Sequence, residues 1–435
     1  MSGFSLKIVC LTLATAMALA EMAPARAPAR RGVVRLEGRA FADEGGPYLA
    51  VGASLFWAAW GYNHDRQRLE RNLEFLANHG VNYIRVLGIV GPKGWANRTV
   101  SAADPLESTW AGLTDLAYDT YGLRVQWTIF GGLDTTPTPA ERAKVVDRFI
   151  ATMQARPHKV QHVEIANEGY ATGWADLRDE ARQLATRIRS QTPFAVAVSA
   201  PGAIADVASW YEGSSANLLT VHLPRDVVGS GNIGTWRYVR QTWDPWLASP
   251  LAWTNNEGKG PQSSVEADDD PLRLTMYAGL TWLCGGAAYV LHTGAGVRGG
   301  GPEDRERNRV ANLWEVAHIE QTLAGINTLR KLLPPDLPNW QRHNSNRNFP
   351  AYPFESAPIA ESVEQGRLVR AFAATSADGR VISMPIVVNE PVPFTPRGPM
   401  QVDVYDPMTG AKVESHDGPF TLSPRLAAVL LGKKK

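Results

Sequence analysis

Cysteine is nearly absent from this chain of 435 residues, which carries only Cys10 and Cys284. A disulfide-rich scaffold is therefore excluded, and so is a thiolate zinc site, because no paired Cys-x-x-Cys exists to supply ligands. An excess of one charge sign is missing too. Lys+Arg 44 stand against Asp+Glu 43, which leaves no field to draw the protein to nucleic acid or to an anionic membrane. Long hydrophobic runs are lacking: the apolar stretch from Ile8 to Ala20 is too short to span a bilayer. His-Glu-x-x-His and calcium-loop spacings do not occur, and Gly52-Ala53-Ser54-Leu55-Phe56 lacks the last glycine of a serine-hydrolase elbow. No metal and no cofactor are called for, and the anticipated partner is a small or neutral molecule.

What the first residues do contain reads as a targeting signal. Lys7 precedes the apolar stretch, and Ala18-Leu19-Ala20 has the small-residue pattern of a signal-peptidase site, so residues 1–20 are expected to be removed after Ala20. The expected destination is secreted or periplasmic, without a membrane anchor. Loss of this segment takes Lys7 and Cys10 with it and leaves Cys284 as the sole thiol, within an apolar run where it reads as an inert buried side chain. Residues 21–34, rich in Ala, Pro and Arg, read as a flexible leader.

From there a strand-and-helix alternation sets in. Eight strands are predicted at Tyr48–Phe56, Asn82–Ile89, Leu123–Phe130, Val160–Ala166, Phe194–Ser199, Leu218–Leu223, Leu251–Asn255 and Ala287–His292. Helix signals follow them: Leu69, Leu73 and Leu76 share one face and Gly80 is placed to stop that helix. Further helices are predicted at 105–121, 139–155, 174–190, 205–211, 232–247, 271–283 and 302–332, with Asp268-Asp269-Asp270 before Pro271 as a helix start. This alternation predicts an α/β fold, a (β/α)8 TIM barrel over 35–333, a size typical of about 250 residues and upward. Residues 334–365 read as a Pro- and Asn-rich connector. Short strand-like runs punctuated by Asp378-Gly379, Asp406-Pro407 and Thr409-Gly410 predict a small antiparallel, β-sandwich-like domain over 366–435, with Tyr405 and Phe420 as its candidate exposed aromatics.

The chemistry is concentrated at two strand ends. Val163-Glu164-Ile165-Ala166-Asn167-Glu168-Gly169 places an Asn-Glu pair at the end of the fourth strand, and Asn255-Asn256-Glu257 closes the seventh. In a barrel the working groups gather where strands end, at one face. Two carboxylates there are the requirement of retaining glycoside cleavage, one as proton donor and one as nucleophile. The bland reading of each is a solvated loop carboxylate.

The VEIANEG segment resembles the strand-four signature of clan A glycoside hydrolases, and of glycoside hydrolase family 5 in particular. There an aromatic or apolar residue precedes Glu, followed by two apolar residues, Asn, the acid/base Glu and usually Pro. The resemblance implies Glu168 as acid/base, Asn167 as the group touching the sugar 2-hydroxyl and Glu257 as nucleophile. Gly80-Val81-Asn82-Tyr83-Ile84-Arg85-Val86 is similar to the family's second strand, whose Arg orients the nucleophile, and Arg85 inherits that role. On strand six, where the family carries His or Tyr, this chain has His222. Two departures stand out: Gly169 replaces the usual Pro, and strand eight offers Tyr289 to His292, with His292 as a candidate substrate contact, where the family commonly presents a Trp. The resemblance covers roughly Arg35 to Leu332.

Flat rings stack on the apolar faces of sugars, and Trp57, Trp60, Trp95, Trp174, Trp236, Trp243 and Trp246 all follow predicted strands. Trp57, Trp60 and Trp174 are the chosen cleft residues. Gly294-Ala295-Gly296-Val297-Arg298-Gly299 matches a dinucleotide fingerprint but stands at the wrong end of the alternation, so it is read as a mobile loop over the site. Arg225, Lys259 and Arg298 are within reach of the same face, which leaves an acidic sugar open, but the plainer reading of them is ordinary solvated loop charges. The expected function is a secreted retaining glycoside hydrolase cleaving a β-linked oligo- or polysaccharide. The alternatives are a non-catalytic glycan-binding barrel, or a transglycosylase using the same residues.

Overall fold

The computed structural model describes residues 30–92, 98–223, 242, 245, 248–258, 260–261, 269–299, 310–344, 352–355, 370–388, 391–423 and 425–434. The signal segment and most of the leader lie outside the described residues, as do Trp95, Trp236, Trp243, Trp246, Arg225, Lys259 and nearly all of the helix predicted at 232–247. Among the described residues no helix is long and apolar enough to cross a membrane.

The chain opens with three short antiparallel strands that the sequence did not announce, β1 (Arg35–Glu37), β2 (Ala40–Asp43) and β3 (Gly46–Tyr48). Eight parallel strands follow: β4 (Ala50–Ser54), β5 (Tyr83–Ile89), β6 (Arg124–Phe130), β7 (Val160–Ala166), β8 (Val196–Ser199), β9 (Leu218–Val221), β10 (Ala252–Asn255) and β11 (Gly286–Leu291). Their order is β8-β7-β6-β5-β4-β11-β10-β9, a nearly closed barrel. At the remaining edge, Asn217 N–H donates to Val196 O at 3.1 Å and Val196 N–H to Asn217 Oδ1 at 2.9 Å, which brings β8 to the approach of β9. Each strand coincides with a predicted one to within a few residues, because buried parallel strands are near-continuous apolar runs.

The helices are set by identifiable caps. Thr138 and Glu141 form a reciprocal capping box before the helix Pro139–Met153, and the Asp270 carboxylate accepts from Leu272 and Arg273 N–H to start the helix Pro271–Leu283. The helix Arg66–Asn78 ends two residues before Gly80, whose φ of 77° few side chains would accept. Of the helix predicted at 302–332, residues 302–309 lie outside the described residues and 310–318 are not α-helical. The described helix runs from Ile319 to Leu332, because His318 in a left-handed conformation breaks the backbone ahead of it.

The N-terminal strands plug the barrel floor. Val34, Phe41 and Tyr48 pack on Ala50, Tyr83, Ala197, Leu218, Ala252 and Ala288, and Arg124 at the root of β6 binds Asp43 at 2.9 Å. Above Phe41 lies His162, stacked on it at 5.4 Å and wholly buried, and among the described residues neither ring nitrogen has a hydrogen-bond partner.

A seven-stranded antiparallel sheet forms the C-terminal unit: β12 (Gln341–Asn344), β13 (Arg370–Thr375), β14 (Arg380–Val388), β16 (Met400–Tyr405), β17 (Lys412–Asp417), β19 (Arg425–Ala427) and β20 (Val429–Lys434). Its first strand falls inside the stretch read as connector. One face, carrying Phe372, Ile382, Met384 and Val429, merges with the barrel core. The other is covered by the pair β15 (Val392–Phe394) and β18 (Phe420–Leu422). Phe420 is therefore not an exposed aromatic: it is stacked between Phe394 at 5.4 Å and His416 at 4.4 Å. Tyr405 is half-buried against the main core.

Burial, reinforced by the charge of Arg85, pushes the His162 pKa down to about 3. An unfolded histidine titrates near 6.5, so below that pH the unfolded chain takes up a proton that the folded one refuses. Stability should fall as pH drops from 6.5 toward 3, and His162→Leu should flatten that part of the profile. Denaturant midpoints of parent and variant across this window check it; parallel curves would contradict it.

Candidate active site

Arg85 is the hub. It sits on β5 with no solvent exposure and points up the barrel, where its Nη1 donates to Glu257 Oε1 at 2.8 Å and its Nη2 to Glu164 Oε2 at 3.0 Å and Asn167 Oδ1 at 2.7 Å. The ring of Phe56 lies 4.7 Å beneath the guanidinium. Burial works against the charge, but Glu164 and Glu257 more than offset it and raise the Arg85 pKa.

Glu164, in the middle of β7, is fully buried and accepts four bonds. Arg85, Thr128 Oγ1 at 2.8 Å and Asn256 Nδ2 at 3.0 Å share its Oε2, while Thr220 Oγ1 donates to Oε1 at 2.6 Å. A buried carboxylate survives only with such compensation. β6, β7, β9 and the end of β10 each supply a part of this shell, so the parallel register holds it in place.

Past the end of β7 the chain turns sharply. Glu168 has φ 42°, a left-handed conformation uncommon outside glycine, and the turn is held by Ala171 and Thr172 N–H on Glu168 O, by Thr172 Oγ1 on Asn167 O at 2.6 Å and by Asn167 N–H on Phe130 O at 2.9 Å. Gly169 follows for a steric reason. Its N–H donates to Ser199 Oγ at 2.8 Å, and a Cβ there would lie 2.4 Å from the Trp210 ring. A proline, usual at this place in the resembling family, would lose the bond and strike the ring.

Glu168 and Glu257 approach each other with His222 between them. One ligand atom of each of these three side chains lies within 4.8 Å of the others. His222 Nδ1 is 3.1 Å from Glu168 Oε1, and its Nε2 is 2.8 Å from Asn256 Oδ1 and 3.7 Å from Glu257 Oε1. Tyr170 OH donates to Glu168 Oε1 at 3.1 Å. His292 stands on the far side, with Nε2 3.9 Å from Glu257 Oε2 and Nδ1 2.8 Å from Ser54 Oγ. The Glu168, His222 and Glu257 trio has the composition of a cation site. Yet both imidazole nitrogens already face partners and Arg85 places a permanent positive charge on Glu257, so the set is spent on internal bonds.

Of the residues singled out from sequence, Glu168, Glu257, Asn167, Arg85, His222 and His292 thus converge at one end of the barrel. Trp57 and Trp174 do not line an open cleft. Trp57 is 2 % exposed, bonded through Nε1 to Ala295 O at 3.0 Å and capped by Arg68, while Trp174 is wholly buried against Phe130 and Arg142. Each ring turns inward because the apolar core beneath the loop offers a better surface than solvent. Trp60 is half-buried and stacks on His64 at 5.3 Å. The glycine loop is not loose: Gly294 to Val297 form a buried turn whose Gly296 O accepts from Phe56 N–H at 2.8 Å, and a Cβ at Gly296 would strike Ser54 O.

Sequence reasoning missed Glu164, Asn256 and Tyr170. An acidic residue inside an apolar strand was a usable signal, since such a group is rarely buried unpaired. Tyr170, 42 % exposed beside Glu168, is the aromatic the loop does present.

No family model matches the chain, and no curated protein is similar to it by sequence. Solved structures share its fold. A glycoside hydrolase family 5 protein from Bacteroides vulgatus superposes with a TM-score of 0.64 at 13% identity, over 93% of this chain and 94% of that one. A second structure described as a glycoside hydrolase gives 0.62 at 13% identity, covering 93% and 97%. A GH27 β-L-arabinopyranosidase from Geobacillus stearothermophilus gives 0.51 at 11% identity, covering 89% and 97%. The likeness spans the barrel and the C-terminal unit together, and the architecture is one that glycoside hydrolases use.

Arg85→Met should leave Glu164 and Glu257 as buried carboxylates without a counter-ion, a loss of about 3–5 kcal/mol. Equilibrium denaturation measures it; a loss below about 1 kcal/mol, typical of surface pairs, would mean that the hub carries no load.

Proposed function

We propose that this protein is a retaining glycoside hydrolase of β-linked glycans, with Glu257 as nucleophile and Glu168 as acid/base. The supporting observation is their spacing: ligand oxygens of the two side chains lie within 4.8 Å. Retaining enzymes hold their carboxyl groups roughly 5–5.5 Å apart, whereas inversion needs about 6.5–9.5 Å to admit a water between them. The resemblance of the strand-four segment and the shared fold of glycoside hydrolases favour the same reading.

In the first step a Glu257 carboxylate oxygen forms a bond to the anomeric carbon while the glycosidic C–O bond breaks and Glu168 gives its proton to the departing oxygen. In the second, water attacks the same carbon, Glu168 takes the water's proton and the bond to Glu257 breaks. Arg85 keeps the nucleophile oriented and neutralises it between turnovers. Because Arg85 occupies Asn167 Oδ1, the amide Nδ2 is the donor left for a sugar hydroxyl. Tyr170 offers a ring beside the acid. The signal-like first 20 residues support action outside the cytoplasm.

The purified protein should hydrolyse at least one substrate in a panel of aryl β-glycosides and β-glycans, and the first product seen by NMR should carry the starting anomeric configuration. Glu168→Gln should lower kcat on poor leaving groups by about 10²–10⁴-fold, the usual contribution of a positioned acid, and Glu257→Ala should abolish turnover. Release of the inverted anomer, or undiminished turnover by Glu257→Ala, would refute the assignment.

A further inference from the structure

Asn256, next to the nucleophile in sequence, is tied to the acid/base by a chain of hydrogen bonds whose polarity can be read. Glu164 bridges to Arg85 and so only accepts. The amide edge of Asn256 that faces it at 3.0 Å must therefore be the NH2, which turns Oδ1 toward His222 Nε2 at 2.8 Å. The opposite flip would set two acceptors against each other inside a fully buried pocket. An amide oxygen accepts, so His222 Nε2 carries hydrogen. Its other nitrogen, Nδ1, lies 3.1 Å from Glu168 Oε1, and a hydrogen bond there needs one proton between the two atoms.

We propose that Glu164 and Asn256 are positioning residues that fix His222 as its Nε2–H tautomer, so that the proton used by Glu168 is held between Glu168 Oε1 and His222 Nδ1. This rests on the reading of Glu168 as acid/base. On glycosyl transfer that single proton leaves with the departing oxygen, and neutral His222 remains beside a carboxylate. When water attacks the intermediate, its proton returns to the same place. Glu164 thus reaches both catalytic carboxylates, Glu257 through Arg85 and Glu168 through Asn256 and His222. Among the described residues the groups that face this proton are Tyr170 from the β7 turn, Asn256 and Glu257 from the end of β10, the latter 3.7 Å from His222 Nε2, and Arg85 behind them.

Without the Asn256 acceptor, His222 is free to carry its hydrogen on Nδ1 and donate to ionised Glu168. A hydrogen bond to the charged form favours that form, so the acid would lose its proton at lower pH. The test begins with ¹⁵N-histidine labelling of the full-length parent, with the His222 signals assigned by His222→Gln. The expected result is Nε2–H as the neutral tautomer; Nδ1–H overturns the proposal. Asn256→Ala should then shift the population toward Nδ1–H and move the basic limb of kcat/KM to lower pH. It should cost about 10–100-fold in kcat on alkyl glycosides, whose leaving groups need acid help, and under about threefold on dinitrophenyl glycosides, which do not. Equal losses on both substrates, or an unmoved tautomer, would reduce Asn256 to a packing role. Because the parent's tautomer is read without substrate, a failed relay in a working hydrolase is distinguishable from a protein that hydrolyses nothing.

Discussion

A guanidinium with no access to water is the constraint from which the rest of the site follows. An unpaired Arg85 in the barrel interior would cost several kcal/mol, so the strands around β5 must bring acceptors to it, and they do so from β7 and β10 at once. Two carboxylates that would repel each other when buried are held together by the cation between them. The orientation of Glu257 is thus built into the resting fold. The second carboxylate of the hub, Glu164, never meets solvent. Its work is to keep Arg85, Thr128, Thr220 and Asn256 in one arrangement.

Stiffness is distributed to match. The left-handed backbone at Glu168 is a local cost, and it is offset by four hydrogen bonds in the turn and by Trp210 packed where any side chain at position 169 would stand. At the opposite end of the barrel, the short N-terminal strands close the floor with Phe41 and Tyr48 and tie it through Asp43 to Arg124. Between floor and site lies a polar layer, His162 among it, which accepts burial without a partner. The carboxylate cluster and the closure of the floor are therefore separated by the length of a strand.

The eight barrel strands were legible because each is a run of apolar residues bounded by turn signals, and Glu168 and Glu257 were legible because each ends such a run. The three strands before β4 were not, since three or four residues cannot establish a period. Trp57 and Trp174 were misplaced for a different reason. Sequence position puts them in loops after strands, but which way a ring turns depends on the surface beneath it, and here Ala295 and Phe130 received them. Asn256 was hidden because an Asn beside a strand-end Glu has the same appearance whether it faces solvent or, as here, a buried carboxylate 92 positions away. Among the described residues the helix predicted to run to Leu332 begins only at Ile319, after the left-handed His318.

The two site carboxylates are chemically identical in the unfolded chain, and the different roles proposed for them rest on what surrounds them. The permanent cation is placed on Glu257, which is nearly sealed at 4 % exposure and bound by Arg85 at 2.8 Å. Among the described residues Glu168 meets a hydroxyl from Tyr170 and an imidazole nitrogen from His222, groups that exchange a proton where Arg85 cannot. A side chain bound to a fixed positive charge is suited to remain an anion and attack. One bound to proton-exchanging partners, and a quarter exposed, is suited to give up and recover a hydrogen at the edge of solvent. The pairing of β5 with β4 and β6 fixes Arg85 at the height from which it reaches Glu257.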